Sequence, residues 1–428
     1  MLVRAQNRAV GKTSLATSVA ALLSTTLATV LLTAVPATSQ TIPDGEWTNN
    51  QTQTGVIAAN QTLNVVQNDG LTRADTYATA NSVQTGNDTY DATLYSYQFL
   101  SGRTTATTTI TGTNSGDEDL SLGTPVYALS QGIGNYASGV TKTGHLTADT
   151  QQISTADRVE AITEVNAPNN AIYVSGEGNA ITEVNHTAYE ATNGRLDSTA
   201  VQTSSTEARS NVSATVHYSP SPNAYNASAT NNAYTAYSDD RGSQEHDVTQ
   251  TASAMTQARA EVYAGNVWNM QANSTALGNN VNLENQGGSL VVTNDQTQSG
   301  LVQSQAVIQA DEYGQAYATA SGIGNQVSAG NNDIYVRLDN NQLSSGGVDV
   351  VASFEGATGW DGYVTADAVG NQAVAYACAE CQADMGVSNT QVNNSDVNAT
   401  ATASVGRGRT IVSTARATGN SATFYVGN

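Results

Sequence analysis

The sequence predicts an all-β fold, a repetitive β-solenoid built from about eight imperfect repeats of roughly 48 residues. Three observations carry that prediction. Gly-Asn pairs recur at an even spacing, the side chains between them alternate with period two, and the composition lacks the large residues of a thick globular core. The 428 residues include three Phe, three Trp and six Pro against 37 Gly, and only 12% are charged. Polarity comes instead from Asn, Gln, Ser and Thr, and the apolar residues are mostly Ala and Val. Small, β-compatible residues of this kind suit stacked strands with a narrow interior and argue against a conventional enzyme domain.

The first element is a targeting segment. Arg4, Arg8 and Lys12 precede an apolar stretch from Leu15 to Val35, and Ala37-Thr38-Ser39 forms a small-x-small site before Gln40. Residues 1–39 are therefore read as a secretory signal peptide and residues 40–428 as one repetitive domain. A single membrane anchor is the competing reading; Ser and Thr interrupt the stretch, and its true apolar part, Leu27 to Val35, is short. Removing the three basic residues leaves 36 acids and 12 bases, a net charge of −24. Nucleic acid is then no expected partner, since phosphate contacts need clustered Lys and Arg. No Cys near the cleavage site suggests a lipid anchor, and no later apolar run is long enough for a membrane helix. Ten-residue amphipathic strands are not evident before the C-terminus, so export through a separate channel is expected.

The repeat follows. Its markers are Gly86-Asn87, Gly134-Asn135, Gly178-Asn179, Gly278-Asn279, Gly324-Asn325, Gly370-Asn371 and Gly419-Asn420, with Asn231-Asn232 filling the double gap. Gln250, Gln296, Gln342 and Gln391 each precede their Gly-Asn pair by 28 residues. Gln202-Thr203 and Gln53-Thr54 are less regular early copies, and Ala161–Asn166 is echoed by Ala180–Asn185. Alternating stretches such as Ala316–Ser321 and Val350–Phe354 read as strands. The Gly-Asn pairs are expected at turns, with Gly or Asn at positive φ. Three or four short strands per unit result, and Asn and Gln at equivalent positions are expected to form side-chain ladders along the stack. An array of β-sandwiches is the alternative, but its cores need more large residues.

Few residues suggest chemistry. Cys378 and Cys381 are expected to form a local structural disulfide in an exported protein. His145, His186, His217 and His246 are scattered, without metal-ligand spacing. Asp117-Glu118-Asp119 and Asp239-Asp240 are candidate carboxylates of a polysaccharide-acting β-helix enzyme; solvated turn acids explain them more simply. No nucleophile motif, phosphate loop or calcium repeat is visible. No catalytic, cofactor-binding or metal residue is therefore assigned, no cofactor is expected, and the protein is read as a non-enzyme. The 19 Tyr, among them Tyr77, Tyr95, Tyr97, Tyr225, Tyr234, Tyr237 and Tyr317, could supply an outward row for sugar or protein contact.

Ser130–Ala137 and Ser321–Val327, with Gly-x-Gly-Asn at their centres, resemble the core of curlin repeats. Curlin units are about half as long, and the first Gly is present only at Gly132, Gly176 and Gly322. The whole chain, an acidic Ala/Thr/Asn/Gln-rich sequence with repeated Ala-x-Gly-Asn elements after a signal segment, more closely resembles the holdfast attachment protein D (HfaD) family of stalked alphaproteobacteria. That resemblance implies an exported, outer-membrane-associated surface protein that helps anchor a polysaccharide adhesin, the holdfast, to the cell envelope. It also implies as partners the adhesin polysaccharide, a curlin-like fibre subunit and an outer-membrane secretion lipoprotein. Self-association, as in an amyloid-like matrix subunit, is a further alternative.

Overall fold

The structure is a computed structural model that describes residues 45–113, 122, 125–168, 172–239, 241–333, 335–378 and 383–427. The predicted signal segment, Asp117-Glu118-Asp119, Asp240 and Cys381 lie outside them. The chain is a β-solenoid. Every strand pair is parallel, and among the described residues there is no helix.

The first coil comprises β1 (Gly45–Gln53), β2 (Ile57–Val65) and β3 (Thr72–Asn87). Each strand starts one of three faces. On the first, β1 is followed by β4 (Ala92–Leu100), β7 (His145–Ser154), β10 (Arg195–Ser204), β12 (Gln244–Ala252), β14 (Ser289–Gln298), β16 (Tyr335–Ser344) and β18 (Asp384–Asn393). On the second, β2 is followed by β5 (Thr104–Gly112) and β8 (Arg158–Ala167), and on the third β3 is followed by β6 (Val126–Thr141) and β9 (Gly176–Ala191). The second and third strands then fuse into long bent strands that serve both faces: β11 (Glu207–Ser238), β13 (Thr256–Asn285), β15 (Val302–Asn331) and β17 (Val348–Ala377). They separate again as β19 (Val397–Arg407) and β20 (Thr410–Val426), both paired to β17.

Period-two sequence explains the strands directly. In β5, Thr104, Ala106, Thr108 and Ile110 turn inward, while the intervening threonines face out. Inward Ala, Val and Thr keep the interior thin, and each coil buries its apolar row only by stacking on the next, so the coils depend on one another. An inward Val or Ile contributes about 1.5–3 kcal/mol through burial. Parallel pairing throughout rules out the sandwich array, whose sheets are antiparallel. The register also carries the irregularity seen in the sequence. From β13 to β15 to β17 it advances evenly, Thr256 to Val302 to Val348, whereas β4 to β7 takes a longer step, Ala92 to Leu146.

The Gly-Asn pairs are not turns. Gly86, Gly134, Gly178, Gly278, Gly324, Gly370 and Gly419 all lie within strands, and the positive-φ glycines are Gly176, Gly288 and Gly347. At Gly134-Asn135, Gly324-Asn325 and Gly370-Asn371 two consecutive residues are buried, which breaks the alternation and bends the strand inward. Glycine is needed there for space. A Cβ on Gly324 would lie 2.5 Å from the Gly370 carbonyl oxygen, and one on Gly134 would lie 2.5 Å from that of Val184. Backbone of the adjacent coil occupies the room a side chain would take.

Candidate functional site

The inner wall carries two amide ladders. Asn81 Nδ2 donates to Asn135 Oδ1 at 2.8 Å, and the chain of bonds continues through Asn185, Asn232, Asn279, Asn325 and Asn371 to Asn420 at the same distance at each step. The bend places these side chains over one another. A second N–H from each donates to a carbonyl of the neighbouring face, as from Asn279 to Thr297 and from Asn325 to Leu343, both 2.9 Å. The second ladder links Gln51, Gln98, Gln152, Gln202, Gln250, Gln296, Gln342 and Gln391 at 2.7–2.9 Å.

The two ladders run with opposite polarity. Each Asn donates to the following coil, and each Gln donates to the preceding one. Their amide dipoles therefore oppose along the stack, so the columns satisfy buried polar groups without summing to a large axial dipole. This arrangement also places the sequence markers. Asn135, Asn232, Asn279, Asn325, Asn371 and Asn420 belong to the ladder, whereas Asn87 and Asn179 do not. Their places are taken by Asn81 and Asn185, which follow Ala80 and Val184 instead of Gly. The Gln spacing was the informative signal, and Gln98 and Gln152 extend it. Asn231, the residue standing where other pairs have Gly, is buried and donates to Thr206 O.

Other buried polar groups are structural. Glu160 is nearly enclosed and pairs with Arg103 at 2.6 Å and Arg158 at 3.4 Å, with Arg209 3.7 Å away. His246 lies inside the stack, 2.8 Å from Tyr234 Oη, 2.9 Å from Ser198 Oγ and 2.7 Å from Gln244 Oε1. Its burial lowers its pKa from 6.5 to about 3. Below pH 6.5 the unfolded chain takes up a proton that the folded chain excludes, so this stability is present above 6.5 and lost as the pH falls towards 3. Local unfolding around β12 should become easier by about 2 kcal/mol at pH 5 relative to pH 8. Hydrogen exchange should show this in the wild type and not in His246→Gln; an equal pH response in both would reject it.

The outer surface holds the features suited to contact. At the corner where β13, β15 and β17 bend, a groove of about 540 Å³ runs across successive coils and is lined by His217, Tyr263, Gln309, Asp311, Glu355 and Ser404, among others. Close by in sequence, Trp268 and Trp360 are each about half exposed, and their rings meet edge to face at 5.2 Å. They come from coils separated by β15. Gly314 stands between them in register, and a Cβ there would lie 2.9 Å from the Trp268 ring. Arg409 lies 5.1 Å over Trp360 and pairs with Asp361 through Nε at 3.0 Å and through its second nitrogen. That hydrogen bond is the main cause holding the Asp361 carboxyl below its ordinary range.

The tyrosines divide between two roles. Tyr77, Tyr95, Tyr97 and Tyr237 are exposed, and Tyr317 stacks on Tyr363 at 4.9 Å. Tyr225 and Tyr234 are fully buried, so only part of the set faces outward. Burial of their rings pushes both hydroxyl pKa values up. Trp268, Trp360 and Arg409 carried no motif in the sequence, because they meet only through the coil register. Cys378 is buried at the end of β17 and is not a free thiol. Among the described residues no cluster of His, Cys, Asp and Glu could hold a metal ion, and no helix is long and apolar enough to cross a membrane.

No curated protein and no solved structure matches the chain. The family model for holdfast attachment protein D matches residues 66–347, from just after β2 through β16 and its following turn. The match takes in Asn81 to Asn325 of one ladder, Gln98 to Gln342 of the other, and Trp268, and the chain belongs to the holdfast attachment protein D family.

Proposed function

We propose that the protein is exported to the cell surface, after cleavage of residues 1–39, and helps fix a polysaccharide adhesin to the outer membrane. In this reading it supplies a stack of coils that works alongside a curlin-like fibre subunit and a secretion lipoprotein, and it performs no catalysis. The observation that supports it most is the corner groove, to which successive coils contribute Tyr263, Gln309, Glu355 and Ser404 in register, together with the exposed Trp268 and Trp360 pair. A long polymer lying along the stack meets polar or aromatic side chains from several coils at once, and weak contacts add through high local concentration. Family membership supports the attachment role.

The test is direct binding of the purified chain to the cell's isolated adhesive polysaccharide. Trp268→Ala with Trp360→Ala should weaken binding about tenfold, as loss of two aromatic contacts implies. Asp239→Asn with Asp240→Asn should leave it unchanged. Loss of activity on the Asp pair alone, with the fold intact, would favour a polysaccharide-acting enzyme. We also propose that Cys378 and Cys381 are joined; peptide mapping without reduction should recover them in one linked peptide, and two separate peptides would refute it.

A further inference from the structure

Both ends of the stack are open among the described residues. No strand covers β1, β2 and β3 on one side, or β18, β19 and β20 on the other. None of the six end strands contains Pro or Lys, two of the usual guards of a strand edge. We propose that the protein extends head to tail, the β18–β20 coil of one copy stacking in parallel register on the β1–β3 coil of the next.

Ladder polarity gives the first argument. At the C-terminal coil, Asn420 Nδ2 reaches only the Gln391 carbonyl at 3.4 Å and has no following Asn, and Gln391 Oε1 has no following Gln to donate to it. At the N-terminal coil, Asn81 Oδ1 has no preceding donor, and Gln51 Nε2 uses one N–H on the Ser82 carbonyl at 2.8 Å. Each end therefore lacks what the other supplies. Asn420 can donate to Asn81 of the next copy, and Gln51 of that copy can donate back to Gln391. Two ends of like polarity could not make both bonds.

Spacing gives the second. Gln51 and Asn81 are 30 residues apart, and Gln391 and Asn420 are 29 apart. The same one-residue difference already stacks inside the chain, between Gln202 with Asn232 and Gln250 with Asn279. Aligning both ladders brings every face into register. On the first face Asn389, which accepts from Asn340 at 2.7 Å, meets Asn49, which donates onward to Ser96 at 3.1 Å, so a third amide column continues across the junction. On the second face Val397, Ala399, Ala403 and Val405 meet Ile57, Ala59, Leu63 and Val65, and these rows already face the interior of their own coils. Burial of such rows is what holds interior coils together.

Cysteine pairs on the outward side test the register without touching the ladders. Asn50 and Thr390 become direct neighbours across the junction, with Cα atoms about 4.8 Å apart and within disulfide range, whereas Asn50 and Ser388 would be about 8 Å apart and outside it. Mild oxidation of the full exported chain carrying Asn50→Cys and Thr390→Cys should give linked dimers and longer chains, at least ten times more than Asn50→Cys with Ser388→Cys. Equal yields from the two pairs would overturn the proposal. Monomer throughout would do so too. Gln51→Glu, which removes the donor facing Gln391, should raise the concentration needed for association at least tenfold while circular dichroism stays unchanged; unaltered association with intact fold would also refute it.

Discussion

Asn325→Leu is expected to cost about 3–5 kcal/mol of local stability, because it leaves several buried polar groups without partners. The change removes the donor to Asn371 and the acceptor for Asn279, each bonded at 2.8 Å, together with the bond to the Leu343 carbonyl. Each orphaned buried group costs about 1–3 kcal/mol, and the added apolar volume offsets only part of that. The loss should be confined to the adjacent coils, since each coil contacts only its neighbours. Hydrogen exchange should accelerate in β13, β15 and β17 and stay unchanged in β4 and β7. Gln326→Leu, one residue on and facing outward, should change stability by no more than about 0.5 kcal/mol. Similar losses from both variants would show that the ladder contributes nothing particular.

Deleting residues 302–347 is expected to leave a folded, shorter solenoid. Val302 pairs with Thr256 and Val348 pairs with Val302, so the deletion places Val348 where Val302 stood, and every inward position keeps its parity. The ladders then close from Asn279 to Asn371 and from Gln296 to Gln391, with one coil fewer. Deleting 302–324 instead would put a third-face strand onto the second face and strip ordered structure from everything after β14. Circular dichroism and limited proteolysis distinguish the outcomes. If both deletions unfold alike, the coils are not the interchangeable units that the register implies.

Much of this was legible in the sequence for a physical reason: a parallel stack repeats its chemistry at every coil, so inward Ala and Val and the Gln spacing recur along the chain. The Gln250, Gln296, Gln342 and Gln391 series marked a real column. Gly-Asn was misread as a turn because the same dipeptide serves a tight turn and a bend pressed against the next coil. What separates them is the Gly370 carbonyl near Gly324, a contact made 46 residues along the chain and invisible locally. Asn81 and Asn185 were missed because the ladder selects the Asn and not the residue before it. Tyr225 and Tyr234 could not be told from outward tyrosines by alternation alone, since each bend shifts the inward parity. The Trp268 and Trp360 contact depends on Gly314 in the intervening coil, which no short motif records.

Coils stack through continuous, oppositely directed Asn and Gln ladders. Side-chain amide hydrogen exchange, read by nuclear magnetic resonance on protein labelled at Asn and Gln nitrogens, tests it most directly. Asn135, Asn232, Asn279 and Asn325, with Gln152, Gln202, Gln250 and Gln296, should keep their side-chain protons after the exposed amides of Asn50 and Asn282 have exchanged. Exchange of the ladder amides as fast as those exposed side chains would contradict the account.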